Sequence, residues 1–430
     1  MEARTHGCSH PHACARLLVQ GGYWCWDGPS CSARCLATPF ACSSGGNAPV
    51  LAEEGIFSEL PSGDVNPFSG TATVVFLKYC SSDSWLGDVG AGPSTFDYNF
   101  RGARIVNATV TALRALHGMG SVAGTQLVLG GCSAGGRGAI MLLDGVAQSL
   151  LGTGIAVSGF FDAAAWVDVE PQIAGLQSLQ QQAALQMAFM NPAIPAACAS
   201  LYTGTDSWKC IWPSYRLPLL VTPFFLNAAS FDTFQIMYTT NNQPNAKSNS
   251  QLAFLDTFQA ATLQLFAQLP ASASIFSTSC LAHCLADSLE FFCLQVGGVT
   301  LAQAVWEWME SGVTSRNVSP CIGWACTSQC GSGPMVMWDP ENVPATATPL
   351  CSAYYGAAEG NSGGAGAPQR APAVNPTVAD TYAAVQTTVQ PVEASLSAAQ
   401  QAGLASLTAQ PAVGAPQPAV AAKLAKLFRV

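Results

Sequence analysis

Ser133 lies in the stretch LVLGGCSAGGRGAI at residues 127–140, one position after Cys132 and fenced by glycines. Three chemistries compete for it: a serine nucleophile on a tight turn, a redox thiol at Cys132, or a glycine-rich loop with no chemistry. Residues 131–135, GCSAG, fit Gly-x-Ser-x-Gly, and an apolar strand-like run precedes them while a helical pattern follows. A sharp strand-to-helix turn pushes the serine hydroxyl outward, and the flanking glycines relieve crowding there. The N–H of Ala134, opening the helix, would face a developing oxyanion. On such a turn Cys132 points into the sheet, which leaves it as a buried small residue or a disulfide partner.

A serine nucleophile needs a base. The chain has five histidines. In the order Ser, Asp/Glu, His only His283 follows the serine. His6, His10 and His12 lie in the polar N-terminal stretch, and His117 ends a helix ahead of Ser133. His283 sits in STSCLAHC, bracketed by Cys280 and Cys284, which could staple its loop. The orienting acid is sought among Asp144, Asp162, Asp168, Glu170, Asp206, Asp232 and Asp256. Asp232 fits best, because LLVTPFFLNAASFDTFQI reads as strand, short turn, Asp, helix. Asp256 repeats the local text, LDTFQ against FDTFQ, but inside an amphipathic helical stretch.

The elements that must carry these residues can be read from periodicity. Strand-like runs at 16–20, 72–79 and 125–129 each feed a glycine-rich or polar turn. Helical spacing covers 105–116 and the residues after Ser133, and 216–227 reads as a later strand. Continuous apolar strands alternating with helices predict an α/β fold with a mostly parallel central sheet flanked by helices. The nearest approach to a membrane span, residues 150–167, is broken by polar residues and glycines and reads as core. From about residue 357 the chain turns Ala/Pro/Gly-rich, without Cys or candidate catalytic groups, and is expected to be a disordered tail. The expected division is an atypical stretch at 1–15, a catalytic domain at 16–356 and a tail at 357–430.

Composition narrows the setting. The 430 residues are 49% hydrophobic and 10% charged, with a net charge of −9, so nothing would neutralise nucleic-acid phosphates. Seventeen cysteines point to an oxidising compartment and disulfide-stapled loops, and the odd count leaves at least one unpaired within the chain. Zinc is the rival use, since Cys31-x3-Cys35, Cys280-x3-Cys284 and Cys321-x4-Cys326-x3-Cys330 mimic ligand spacings. Sequons at Asn107 and Asn317 agree with secretion. The first fifteen residues have no signal-peptide core, so residues upstream of Met1 are expected. Without them, the run at 16–20 would form an unpaired sheet edge.

Together these segments resemble the pectin acetylesterase family, which also contains the animal carboxylesterase Notum. The resemblance rests on GGYWCWDGPSCSAR, NPF at 66–68, LKYCSSDSWLGD, NFRGARI, GGCSAGGRGAI, NAASFDTFQI, TSCLAHC and CIGWACTSQC, in order along most of residues 17–330. It implies an α/β-hydrolase-like fold and secreted, cell-wall-directed ester hydrolysis by Ser133, His283 and Asp232, with no metal or cofactor. An oxyanion hole from the N–H groups of Gly22, Tyr23 and Ala134 follows from it. The expected substrate is an acetylated polysaccharide acted on by a monomer. Two other readings stay open, a lipid-ester or protein deacylase and a non-catalytic cysteine-rich binding module. Trp24, Trp26 and Trp85 could stack on sugar rings, or be core, or line an acyl pocket. Plant members usually carry a third glycine where Tyr23 stands, which bears on substrate preference more than on backbone donors.

Overall fold

The computed structural model describes residues 14–46, 55–57, 66, 72–240, 248–288 and 290–329. The tail from 357 and the stretch at 1–13 therefore lie outside the described residues.

Seven parallel strands form the central sheet: β1 (Cys14–Val19), β2 (Thr73–Leu77), β3 (Gln126–Cys132), β4 (Ala156–Asp162), β5 (Phe224–Asn227), β7 (Ala273–Ser277) and β11 (Arg316–Val318). The spatial order is β11-β7-β5-β4-β3-β1-β2. A two-residue ladder joins β6 (Phe231–Asp232) to β8 (Leu281–Ala282), and β9 (Gln295–Val296) pairs with β10 (Val299–Thr300). The helices are α1 (Gly28–Ala37), α2 (Gly102–His117), α3 (Ala134–Ser149), α4 (Leu179–Phe189), α5 (Ala196–Leu201), α6 (Pro213–Arg216), α7 (Thr233–Thr239), α8 (Asn249–Gln268), α9 (Glu290–Cys293) and α10 (Leu301–Ser311).

The strands read as unbroken apolar runs because helices cover both faces of the sheet. Alternation along each strand divides the core in two. Leu17, Leu127, Leu129, Phe161, Leu226 and Ile275 pack on one face. Leu18, Val128, Phe160, Phe225 and Phe276 pack on the other. Helix α2 shows the matching helical stripe, burying Ala103, Val106, Val110 and Leu113, and ends on Gly118 in the left-handed conformation.

Two expectations need correction. The strand at 16–20 is not an edge: β1 pairs with both β2 and β3, so β2 is the end strand among the described residues. The stretch 216–227 is a strand only over its last four residues. Pro218 and Pro223 cannot donate to a ladder, and residues 213–219 coil into helical turns instead.

The cysteines are spent on disulfides: Cys25–Cys31, Cys35–Cys42, Cys132–Cys284, Cys198–Cys210 and Cys321–Cys326. Cys14, Cys280 and Cys293 are also disulfide-bonded, and Cys80 is the free thiol among the described residues. The pairing removes the zinc reading for Cys31/Cys35, Cys280/Cys284 and Cys321/Cys326.

Candidate active site

Loops leaving the C-terminal ends of the parallel strands meet above the sheet centre, where Cys132, Asp162 and Asn227 stand in register on β3, β4 and β5. Ser133 follows directly, with φ 56° and ψ −123°, and is the N-cap of α3. A non-glycine residue at positive φ is strained and persists only where its surroundings impose it. Here β1 does so: a Cβ on Gly131 would come 2.5 Å from the Val19 carbonyl oxygen, and one on Gly135 would collide with the same atom. The Ser133 N–H donates to the Asp162 carbonyl at 2.9 Å. The motif's glycines are therefore needed for the close approach of strand, turn and helix.

The β6–β8 ladder sets Asp232 opposite Ala282, one residue before His283. The carboxylate divides its oxygens. Oδ1 accepts from the Gln235 N–H at 2.8 Å, capping α7, and Oδ2 lies 2.7 Å from His283 Nδ1. The other imidazole nitrogen, Nε2, is buried and has no protein partner among the described residues. Cys132 and Cys284, each adjacent to one of the two key residues, are bonded to each other. Their sulfurs and a His283 nitrogen lie within 4.8 Å of one another, which holds the imidazole against the serine turn. Sulfurs joined in a disulfide offer no thiolate, so this cluster is not a metal site.

Asp256, the rival acid, is exposed on α8 and accepts from the Trp324 N–H at 3.0 Å. His117 is the exposed last residue of α2. His6, His10 and His12 lie outside the described residues.

A further carboxylate was not singled out by the sequence. Asp162 is fully buried, accepts from Asn227 Nδ2 at 2.7 Å and from the Ala286 N–H at 2.8 Å, and is pushed up to about 6 by burial, against those hydrogen bonds and the nearby His283. For His283, burial pushes the pKa down. The Asp232 carboxylate, helped by Asp162 and Asp287, outweighs it and holds the imidazole above its ordinary value. A base must be neutral to accept a proton, so activity is expected to be lost as pH falls through a midpoint above 6.5. Asp162→Asn removes one of the charges that raise it, so the acid limb of kcat/KM should move to lower pH. A pH–rate profile of the two proteins on one soluble ester checks this; a limb that stays put or moves up would show that Asp162 does not act on the base.

The Gly-Gly loop abuts the serine, since a Cβ on Gly21 would lie 3.1 Å from Ser133 Cβ. Gly22 and Tyr23 both take positive φ, 126° and 65°, and Ala134 is the first residue of α3. The loop's aromatic rings turn inward. Trp24 and Trp85 are 1% and 0% exposed, with Nε1 bonded to Gln182 Oε1 and to the Gln20 carbonyl, both at 2.9 Å. Trp26 is buried edge-on to Tyr23. The sugar-stacking reading of Trp24, Trp26 and Trp85 is therefore withdrawn, because none offers a ring face to solvent. Gln182, buried on α4, also bonds the Tyr23 and Tyr238 hydroxyls, so one amide ties the aromatic layer together.

Solved structures of similar fold include the Wnt deacylase Notum from Drosophila, with a TM-score of 0.65 at 26% identity over 72% of this chain and 87% of that one. Among curated proteins, the palmitoleoyl-protein carboxylesterase NOTUM of Drosophila melanogaster is 28% identical over 70% of this chain and 44% of its own length. The Homo sapiens protein of that name is 26% identical over 70% and 61%. Pectin acetylesterase 11 of Arabidopsis thaliana is 29% identical over 73% and 82%. The chain thus spans only about half the length of the animal relatives. The pectinacetylesterase profile matches residues 12–331, nearly everything the structure describes, and the chain belongs to that family.

Proposed function

We propose that the protein is a serine carboxylic-ester hydrolase that removes O-acetyl groups from a polysaccharide. The observation that carries this is the His283–Asp232 pair, bonded at 2.7 Å and stapled through Cys284–Cys132 to a serine on a strained strand-to-helix turn. In this reading His283 Nε2 takes the Ser133 proton as Oγ attacks the ester carbonyl. The N–H groups of Gly22, Tyr23 and Ala134 receive the oxyanion. The alcohol leaves with the proton from His283, and water cleaves the acyl-enzyme by the same route. Asp232 holds the imidazole tautomer with the proton on Nδ1.

Packing beside the site bears on acyl length. Tyr23, Trp24, Trp166 and Phe234 are buried against one another beside His283, with ring centroids 4.8–5.7 Å apart. Close-packed aromatics would have to separate to admit a long acyl chain, which favours a short acyl group. The disulfides, together with the family, support an extracellular setting at the cell wall. The protein should release acetate from acetylated pectin or a related polysaccharide and be far slower on a long-chain acyl ester. Preference for the long-chain ester would favour the deacylase reading. Turnover of neither would favour a binding module.

A further inference from the structure

Arg16, Arg34, Arg137 and Arg216 are fully buried. Arg216 is paired with Asp144 at 2.6 Å. Arg34 has no carboxylate partner among the described residues. Its Nε donates to Ser82 Oγ at 2.8 Å, its Nη2 donates to the Gly22 carbonyl at 2.5 Å, and its Nη1 has no partner. Burying a cation without a counter-charge is costly, so its contact with the Gly-Gly loop calls for a reason.

The peptide plane supplies one. In a trans peptide the C=O of one residue and the N–H of the next point in opposite directions. The guanidinium that grips the Gly22 carbonyl thereby aims the Tyr23 N–H the other way. A positive charge at the carbonyl also polarises the amide and makes that N–H a stronger donor. Tyr23 is a non-glycine residue at a φ of 65°, a conformation that its surroundings must hold. Arg34 is fixed from three sides. Its helix α1 starts on a capping box between Asp27 and Ser30, is tied back to the loop by Cys25–Cys31, and is anchored at its far end by Cys35–Cys42.

We infer that Arg34 is a positioning residue for the oxyanion loop, setting the direction and donor strength of the Tyr23 N–H. This rests on the hydrolase reading above. The prediction concerns the transition state rather than substrate binding. In Arg34→Met, kcat on nitrophenyl acetate should fall about 100-fold or more, the loss typical of one oxyanion donor, with KM within about threefold. Affinity for a trifluoromethyl ketone, which forms a tetrahedral adduct on serine, should fall in step with kcat/KM. The acid limb of the pH profile, set by His283, should stay in place. Arg34→Lys keeps the charge but not the two-pronged donor and should fall between, and it decides the matter should Arg34→Met fail to fold. Parental kcat in folded Arg34→Lys, or a loss of kcat with ketone affinity untouched, overturns the inference. Ser133→Ala runs alongside: if it kept parental turnover, the hydrolase reading would fall and this inference with it. An inactive Ser133→Ala beside fully active Arg34 variants overturns the inference alone.

Discussion

Ser133→Ala is expected to lower ester turnover by on the order of 10⁴- to 10⁶-fold while the protein remains folded. The hydroxyl is the proposed nucleophile, and its removal opens little volume. The strained backbone at φ 56° is imposed by neighbours, with the Ser133 N–H on the Asp162 carbonyl and the Ser133 carbonyl accepting from the Arg137 N–H at 2.8 Å. None of these needs the side chain. Turnover of a nitrophenyl acetate, read with circular dichroism and the melting temperature, checks both halves. Activity within tenfold of the parent in a folded variant would remove Ser133 from the mechanism.

The second large effect is at Asp232. Asp232→Asn should cost about 10³- to 10⁴-fold in kcat, whereas Asp256→Asn should stay within a few-fold of the parent. The cap on α7 determines the outcome. The oxygen of the substituted amide would keep the hydrogen bond from the Gln235 N–H, which turns its NH2 group toward His283 Nδ1. An NH2 there demands an unprotonated Nδ1, so the neutral imidazole would carry its proton on Nε2, where it cannot accept one from serine. Asp256 instead holds the Trp324 loop, on an exposed face. Comparing kcat for the two variants against the parent tests the assignment. A sensitive Asp256 with a tolerant Asp232 would reverse it.

What the sequence discloses follows the range of the interactions. The serine turn is legible because strand, glycines and helix are consecutive, and their constraint is local. His283 emerges by elimination, helped by the scarcity of histidine. Asp232 emerges from strand-turn-helix order, although the ladder that sets it opposite Ala282 spans fifty residues and has no local signature. Asp162, Gln182 and Arg34 act only through tertiary contacts. Arg34 reaches Ser82, forty-eight positions away, and Gln182 reaches Tyr23 at a separation of 159. The strand order is invisible for the same reason, since composition does not say which neighbour a parallel strand takes, and so β1 reads as an edge. The tryptophans mislead because a sugar platform and a core filler share one residue type, and burial alone separates them.

The Cys132–Cys284 bond closes a covalent circle in which Ser133, Asp232 and His283 all lie. Closing a loop with a sequence separation of 152 residues removes on the order of 5 kcal/mol of chain entropy from the unfolded protein by the loop-closure relation. The topology matters more than that figure. A single cut anywhere along the circle turns it into an open chain and leaves Ser133, Asp232 and His283 on one covalent molecule. The Gly22–Tyr23 loop lies outside it. A protein nicked once inside the circle would keep these three residues tethered, and a break between this loop and Cys132 would divide the Gly22 and Tyr23 N–H groups from the backbone that carries all three.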